Sequence, residues 1–191
     1  IINSIRKSVK ATTSPILILL FVGALAGTWL VSGIIPAMIY YGLQIFHPLF
    51  FLPACVIICA IISISTGSSW TTSATIGIAM IGIGKAMEIN SGIVAGAIIS
   101  GAYFGDKLSP LSDTTNLAAA IANSNLFNHI RYMTLTTVPS IIIGLLFFIL
   151  IGFFQVTTED INNRFLVNSI EEKFFINPVL FIVPIVVIVM I

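Results

Sequence analysis

The sequence predicts an all-α polytopic membrane protein, a bundle with broken helices and a re-entrant hairpin, and three observations predict it. Of 191 residues, 58% are hydrophobic and 8% charged, where a soluble domain carries roughly a quarter charged residues. No Asp, Glu, Lys or Arg occurs between Ala11 and Gly84, or between Tyr132 and Thr158, and a bilayer span needs only about 20 mainly apolar residues. Glycine and proline are interleaved with the apolar runs, which membrane helices tolerate and soluble helix interiors do not. A mean hydropathy of +1.12 agrees. A soluble globular domain is excluded. Eight basic and seven acidic residues leave a formal charge of +1 without a basic stripe, so nucleic acid is not a partner. The lipid bilayer is.

Residues 3 to 14 form a polar segment carrying Arg6, Lys7 and Lys10. The run from Pro15 to Leu43 is long enough to cross, but Gly27, Thr28, Trp29, Ser32, Gly33 and Pro36 interrupt its middle, which predicts a broken helix. A short link at His47 and Pro48 leads to an apolar helix from Leu49 to Ser65. The polar stretch TGSSWTTSAT follows from Thr66, then a Gly-rich half-helix ending at Gly84. Helix, polar loop and half-helix make a discontinuous span or a re-entrant hairpin. After Lys85, Glu88 and Asn90, a helix rich in small residues begins at Gly92 and meets charge and proline at Asp106 to Pro110, and a second helix can begin after Asp113. This element is broken too.

A polar stretch to Arg131 precedes a span from about Thr134 to Phe154, then a charged loop with Glu159, Asp160, Arg164, Glu171, Glu172 and Lys173. The final apolar run from Pro178 to Ile191 is about 21 Å long against a hydrocarbon core of about 30 Å. With Ile1 at the start, the expectation is a single transmembrane domain over residues 1–191, incomplete at both ends. Five to six membrane elements result. Six of seven loop Lys and Arg lie on the side of the amino end if the element from Gly92 to Phe127 crosses and five if it is re-entrant, a difference too small to set the orientation. Cys55 and Cys59, four apart in an apolar stretch with no His or carboxylate nearby, read as small apolar residues.

Non-helical chain at membrane depth survives only when it is buried in protein or lines a wet cavity, because each unsatisfied backbone group costs several kcal/mol. Two places qualify. In the first, Thr66, Ser68, Ser69, Thr71, Thr72, Ser73 and Thr75 carry hydroxyls, with Gly67 allowing close approach and Trp70 a large wall. In the second, Ser109, Ser112, Asp113, Thr114, Thr115 and Asn116 supply hydroxyl, carboxylate and amide oxygens. Neutral and anionic oxygens suit a hard cation. Packing offers a plainer account of each: the first stretch can bond helices together, and Asp113 can cap the helix that follows it.

Asp106 and Asp113 decide the matter, since a carboxylate at the bilayer centre costs about 2.5 to 3.5 kcal/mol and such residues mark ion or proton paths. Asp106 has Lys107 as a neighbour to pair with, whereas Asp113 has no adjacent base, which makes Asp113 the leading candidate for a sodium ligand. An intramembrane aspartyl hydrolase would need a glycine where Tyr103 stands before Gly105 and Asp106. Small residues at Gly92, Gly96, Ser100, Gly101 and Gly105 predict close helix contact.

Four segments carry a resemblance: GTWLVSGIIPAMIYYGL from Gly27, TGSSWTTSATIGIA from Thr66, GAIISGAYFGDKLSPLSDTTNLA from Gly96 and HIRYMTLTTVPS from His129. They closely resemble the NhaC family of sodium/proton antiporters, from about Pro15 to Gly152. The resemblance implies one half of an inverted-repeat ion transporter whose broken helices meet near mid-membrane. It implies no enzyme activity and no cofactor, with Na+ (or Li+) and H+ as cargo, small cations and lipid as partners, and a homo-oligomer compatible with all of this. Ser68, Ser69, Trp70 and Thr71 stand where the wider group carries Ser-Asn-Thr. Relatives in the family resemble malate/lactate or amino-acid exchangers, which leaves an organic-anion substrate as the alternative. The expected ion and proton site comprises Asp113 and Asp106, Ser112, Thr114, Thr115 and Asn116, with Thr66, Ser68, Ser69, Thr71 and Thr72. A desolvated carboxylate disfavours its bare charge, so a proton and a cation can alternate on one group.

Overall fold

The computed structural model describes residues 23–155 and 172–190, with Thr13, Ile16, Leu17, Leu20, Phe21 and Ile170 as single positions. The polar amino-terminal segment and Glu159, Asp160, Arg164 and Glu171 lie outside the described residues. Every regular element among the described residues is helical.

Helix α1 (Gly23–Val31) and helix α2 (Ile34–Ile45) are bent by 73°. The break falls at Ser32 and Gly33, where Gly33 takes φ 86, a left-handed conformation that glycine adopts without steric cost. Pro36, one of the expected breakers, is instead the third residue of α2; first-turn N–H groups lack intrahelical partners, so a missing one costs little there. Helix α3 (Pro48–Thr66) begins on proline, with His47 accepting from the Leu49 N–H, and ends at Gly67 with φ 69.

The polar stretch after α3 is mostly helical, not a loop. Only Gly67 and Ser68 are non-helical; α4 (Ser69–Thr72), a π turn (Ser73–Gly77) and α5 (Ile78–Ala86) then run on without interruption. The hydroxyls explain it. Ser68 Oγ accepts from the Thr71 N–H at 3.2 Å, while Thr72 and Thr75 donate to carbonyls four residues back at 2.9 and 2.8 Å. Polar side chains thereby serve the helix that carries them.

Helix α6 (Ser91–Leu108) is capped by Asn90 and runs through Asp106 and Lys107, so its break lies at 109–112, later than the charge pattern predicts. Helix α7 (Asp113–Ile121) starts on Asp113 itself. Ser112 takes the capping role expected of Asp113, accepting from the Thr115 N–H at 3.5 Å. Helix α8 (Leu126–Gln155) begins two turns ahead of the expected Thr134, with the Asn125 carboxamide accepting from the Phe127 N–H. A 3-10 turn (Pro178–Phe181) leads into α9 (Ile182–Met190). By length and composition, Pro48–Thr66 and Leu126–Phe154 can each cross a membrane, and the bent pair α1–α2 meets the same test taken together, as a broken span or a re-entrant loop. The other expected crossing elements are shorter or more polar pieces.

The core lies between α3, α5 and α6, where Phe51, Leu52, Cys55, Val56, Cys59, Met80, Ile83, Val94 and Ile98 pack together. Both cysteines are free and buried, as small apolar residues would be. Close approach of α3 and α6 depends on two glycines of the small-residue stripe. A Cβ on Gly101 would strike the Val56 carbonyl, and one on Gly105 the Ala60 carbonyl and Ser63. Gly96 has open space around it, so the stripe makes its helix contact only in its second half. Helix α8 packs one face on this core through Ile141, Leu145, Phe148 and Ile151 and leaves the opposite face exposed.

Candidate cation site

The seam between α3 and α6 brings the two non-helical breaks together. A Cβ on Gly67 would lie 2.6 Å from the backbone carbon of Leu111, so the turn after α3 and the turn after α6 touch main chain to main chain. Only a residue without a side chain permits this, and the positive φ at Gly67 makes the same demand.

Across this contact, Ser69 Oγ donates to Asp106 Oδ2 at 3.1 Å. Ser69 is buried and Asp106 half-buried. The expected pairing of Asp106 with Lys107 does not form: Lys107 is exposed, and among the described residues the carboxylate's partner is the serine hydroxyl. A carboxylate held by a neutral donor keeps its charge available to a cation, whereas an ion pair would have cancelled it.

The other expected site residues divide into two groups. Thr66 and Thr72 face each other with Oγ1 atoms 3.5 Å apart, beside the Ser68 N–H, which donates to Thr66 Oγ1 at 3.4 Å. Thr71 is half-buried next to them. Thr115 is buried and donates to the Asp106 and Lys107 carbonyls at 3.3 and 3.2 Å, tying α7 to the end of α6. Ser112 is buried, with its Oγ 2.9 Å from Thr114 Oγ1. By contrast Asp113, Thr114 and Asn116 are exposed, and the Asn116 amide is committed to the Pro110 and Ser112 carbonyls at 2.8 and 2.9 Å. The geometry therefore joins Ser69 to the Asp106 carboxylate, Thr66 to Thr72, and Thr115 to the Asp106 backbone, and leaves Asp113 exposed at the start of α7.

Among the described residues no three His, Cys, Asp or Glu side chains converge on the arrangement around Asp106. It offers one carboxylate, several hydroxyls and helix-end carbonyls, the oxygen chemistry that suits a hard cation. Ser63 was hidden from sequence reasoning inside an apolar run. Its one signal was a hydroxyl one turn before a glycine break.

Residues 101–191 match the Na+/H+ antiporter family. The chain is 42% identical over 181 residues to the Na(+)/H(+) antiporter NhaC of Alkalihalophilus pseudofirmus, covering 95% of this chain and 39% of that protein. It is 45% identical over 177 residues to the Malate-2H(+)/Na(+)-lactate antiporter of Bacillus subtilis, covering 92% and 38%. To the Na(+)/H(+) antiporter NhaC of Bacillus subtilis it is 43% identical over 150 residues, covering 78% and 33%. The chain thus spans about two fifths of the length of the first curated relatives it matches. No solved structure matches it.

Proposed function

We propose, on the premise that this chain belongs to the Na+/H+ antiporter family, that the protein is a secondary active transporter exchanging Na+ (or Li+) for H+. It is a transporter and not an enzyme, it works without a cofactor, and it acts in the plasma membrane of a bacterium or archaeon. The observation that carries the reading is the half-buried Asp106 carboxylate meeting Ser69 where two helix breaks touch. A carboxylate at such a place can take up a proton or a cation. Occupancy by one excludes the other, and that competition is the coupling. Thr66 and Thr72 supply neutral oxygens on one side, and Thr115 on the other. Asp113, exposed at the start of α7, is an access-path acid in this arrangement and Asp106 the binding one.

The similarity to the Malate-2H(+)/Na(+)-lactate antiporter, at 45% identity, favours a second reading in which an organic anion travels with or against the cation. Membrane vesicles carrying the full-length protein and an acid-inside gradient separate the two. Sodium alone should collapse the gradient on the first reading. On the second, collapse should require malate or lactate.

A further inference from the structure

Two buried serines outside the proposed ligand set join the breaks. Ser63 on α3 donates to the Ala102 carbonyl on α6 at 2.6 Å, and Ser109, just past α6, donates to the Ile64 carbonyl on α3 at 2.7 Å. Both serines have no exposed surface. The two bonds run in opposite directions across the seam that Gly105 keeps narrow, which is why so short a side chain reaches the opposite backbone.

The Ile64 carbonyl is one of the last four of α3, and such carbonyls lack an intrahelical donor. The N–H four residues on belongs to Ser68 and is turned to Thr66 Oγ1. Ser109 supplies the missing donor. Its oxygen also accepts from the Leu111 N–H at 3.2 Å, and its own N–H donates to the Asp106 carbonyl at 3.3 Å. One residue is thus bonded to α3, to the second break and to the backbone of Asp106. Ser109 is one of the oxygens expected at the second break, but its hydroxyl is committed to main chain on both sides.

We infer that Ser63 and Ser109 form a reciprocal clamp that positions the Asp106 carboxylate against Ser69, setting cation affinity without touching the cation. The inference rests on the sodium reading for its functional consequence and on the backbone contacts for its structural one. The test uses the full-length protein in vesicles for sodium-driven proton flux and, purified in detergent, for deuterium uptake. Ser109→Ala should raise the sodium KM at least threefold with the maximal rate within twofold, Ser63→Ala should do so less, and Ser65→Ala, an exposed hydroxyl bonded within its own helix, should do neither. Because the clamp acts through the Ser69 contact, Ser109→Ala combined with Ser69→Ala should raise KM by less than the product of the two single effects. Deuterium uptake should rise together in residues 63–72 and 106–116 of Ser109→Ala.

An unchanged KM with only a lower melting temperature would overturn the positioning role, as would multiplicative KM effects. Uptake rising in one break alone would overturn the clamp itself. If Ser109→Ala does not fold, Ser109→Cys keeps the volume with a weaker donor, and its KM should lie above that of the wild type; a wild-type KM there counts against the inference. If the unmutated protein shows no sodium-driven flux, the sodium reading fails, and the uptake measurement alone decides for or against the clamp.

Discussion

The bend between α1 and α2 and the paired breaks after α3 and α6 are built from the same local chemistry and do different things. Each uses a glycine at positive φ, Gly33 in one and Gly67 in the other. Around Gly33 the buried neighbours are Trp29, Ile34 and Ile35, and Phe174 is the nearest side chain to the glycine. The two breaks that meet at Gly67 and Leu111 carry Ser69, Thr72, Ser109, Thr115 and Asp106. A broken membrane helix is therefore not in itself a site. On the proposed reading it becomes one where a second break faces it and a carboxylate meets a hydroxyl across the contact.

That contrast can be broken by substitution, beginning with the largest expected effect. Gly105→Ala puts a methyl into the α3 backbone, and overpacking of this kind costs about 1–3 kcal/mol or more; melting in detergent should show a severe loss, while Gly27→Ala, with open space around it, should melt like the wild type. Ser69→Ala removes the hydrogen bond that Asp106 accepts at Oδ2. A bond to a charged group contributes about 1.5–3 kcal/mol, so the sodium KM should rise roughly tenfold in vesicle flux assays, with protein abundance unchanged. Gly33→Ala strains the bend by about 1 kcal/mol, since the space is adequate but φ 86 is not, and it should lower the melting temperature while leaving the sodium KM intact. Thr71→Val should give the smallest effect, a KM change of about twofold at most, because no side-chain bond ties Thr71 to the carboxylate. If Gly33→Ala moves KM more than Ser69→Ala does, the contrast between the two regions is lost.

Much of this was legible in the sequence. Uncharged runs of span length gave the membrane class, and glycine beside hydroxyl-rich or charged stretches located all three breaks to within a few residues. What could not be read was how far the helices extend into those stretches. The stretch from Ser69 reads as a loop because Ser and Thr favour turns, yet Thr72 and Thr75 bond back to their own helix and Ser68 caps it. The partner of Asp106 was equally hidden. Adjacency in sequence suggested that Lys107 neutralises Asp106, but neighbours on a helix point about 100° apart, and the partner of Asp106 comes from 37 residues away. Ser63 could be found only through the packing that Gly105 permits, a relation between two helices that one-dimensional spacing does not carry.

The central claim is that the cation sits at Asp106 and not at Asp113, and sodium binding to the purified full-length protein over a range of pH tests it most directly. Wild-type protein should bind sodium in competition with protons. Asp106→Asn should lose both the binding and its pH dependence while remaining folded, and Asp113→Asn should retain both with at most a modest loss of affinity. Unchanged sodium affinity in Asp106→Asn, with binding abolished in Asp113→Asn, would contradict the account and return the site to the start of α7.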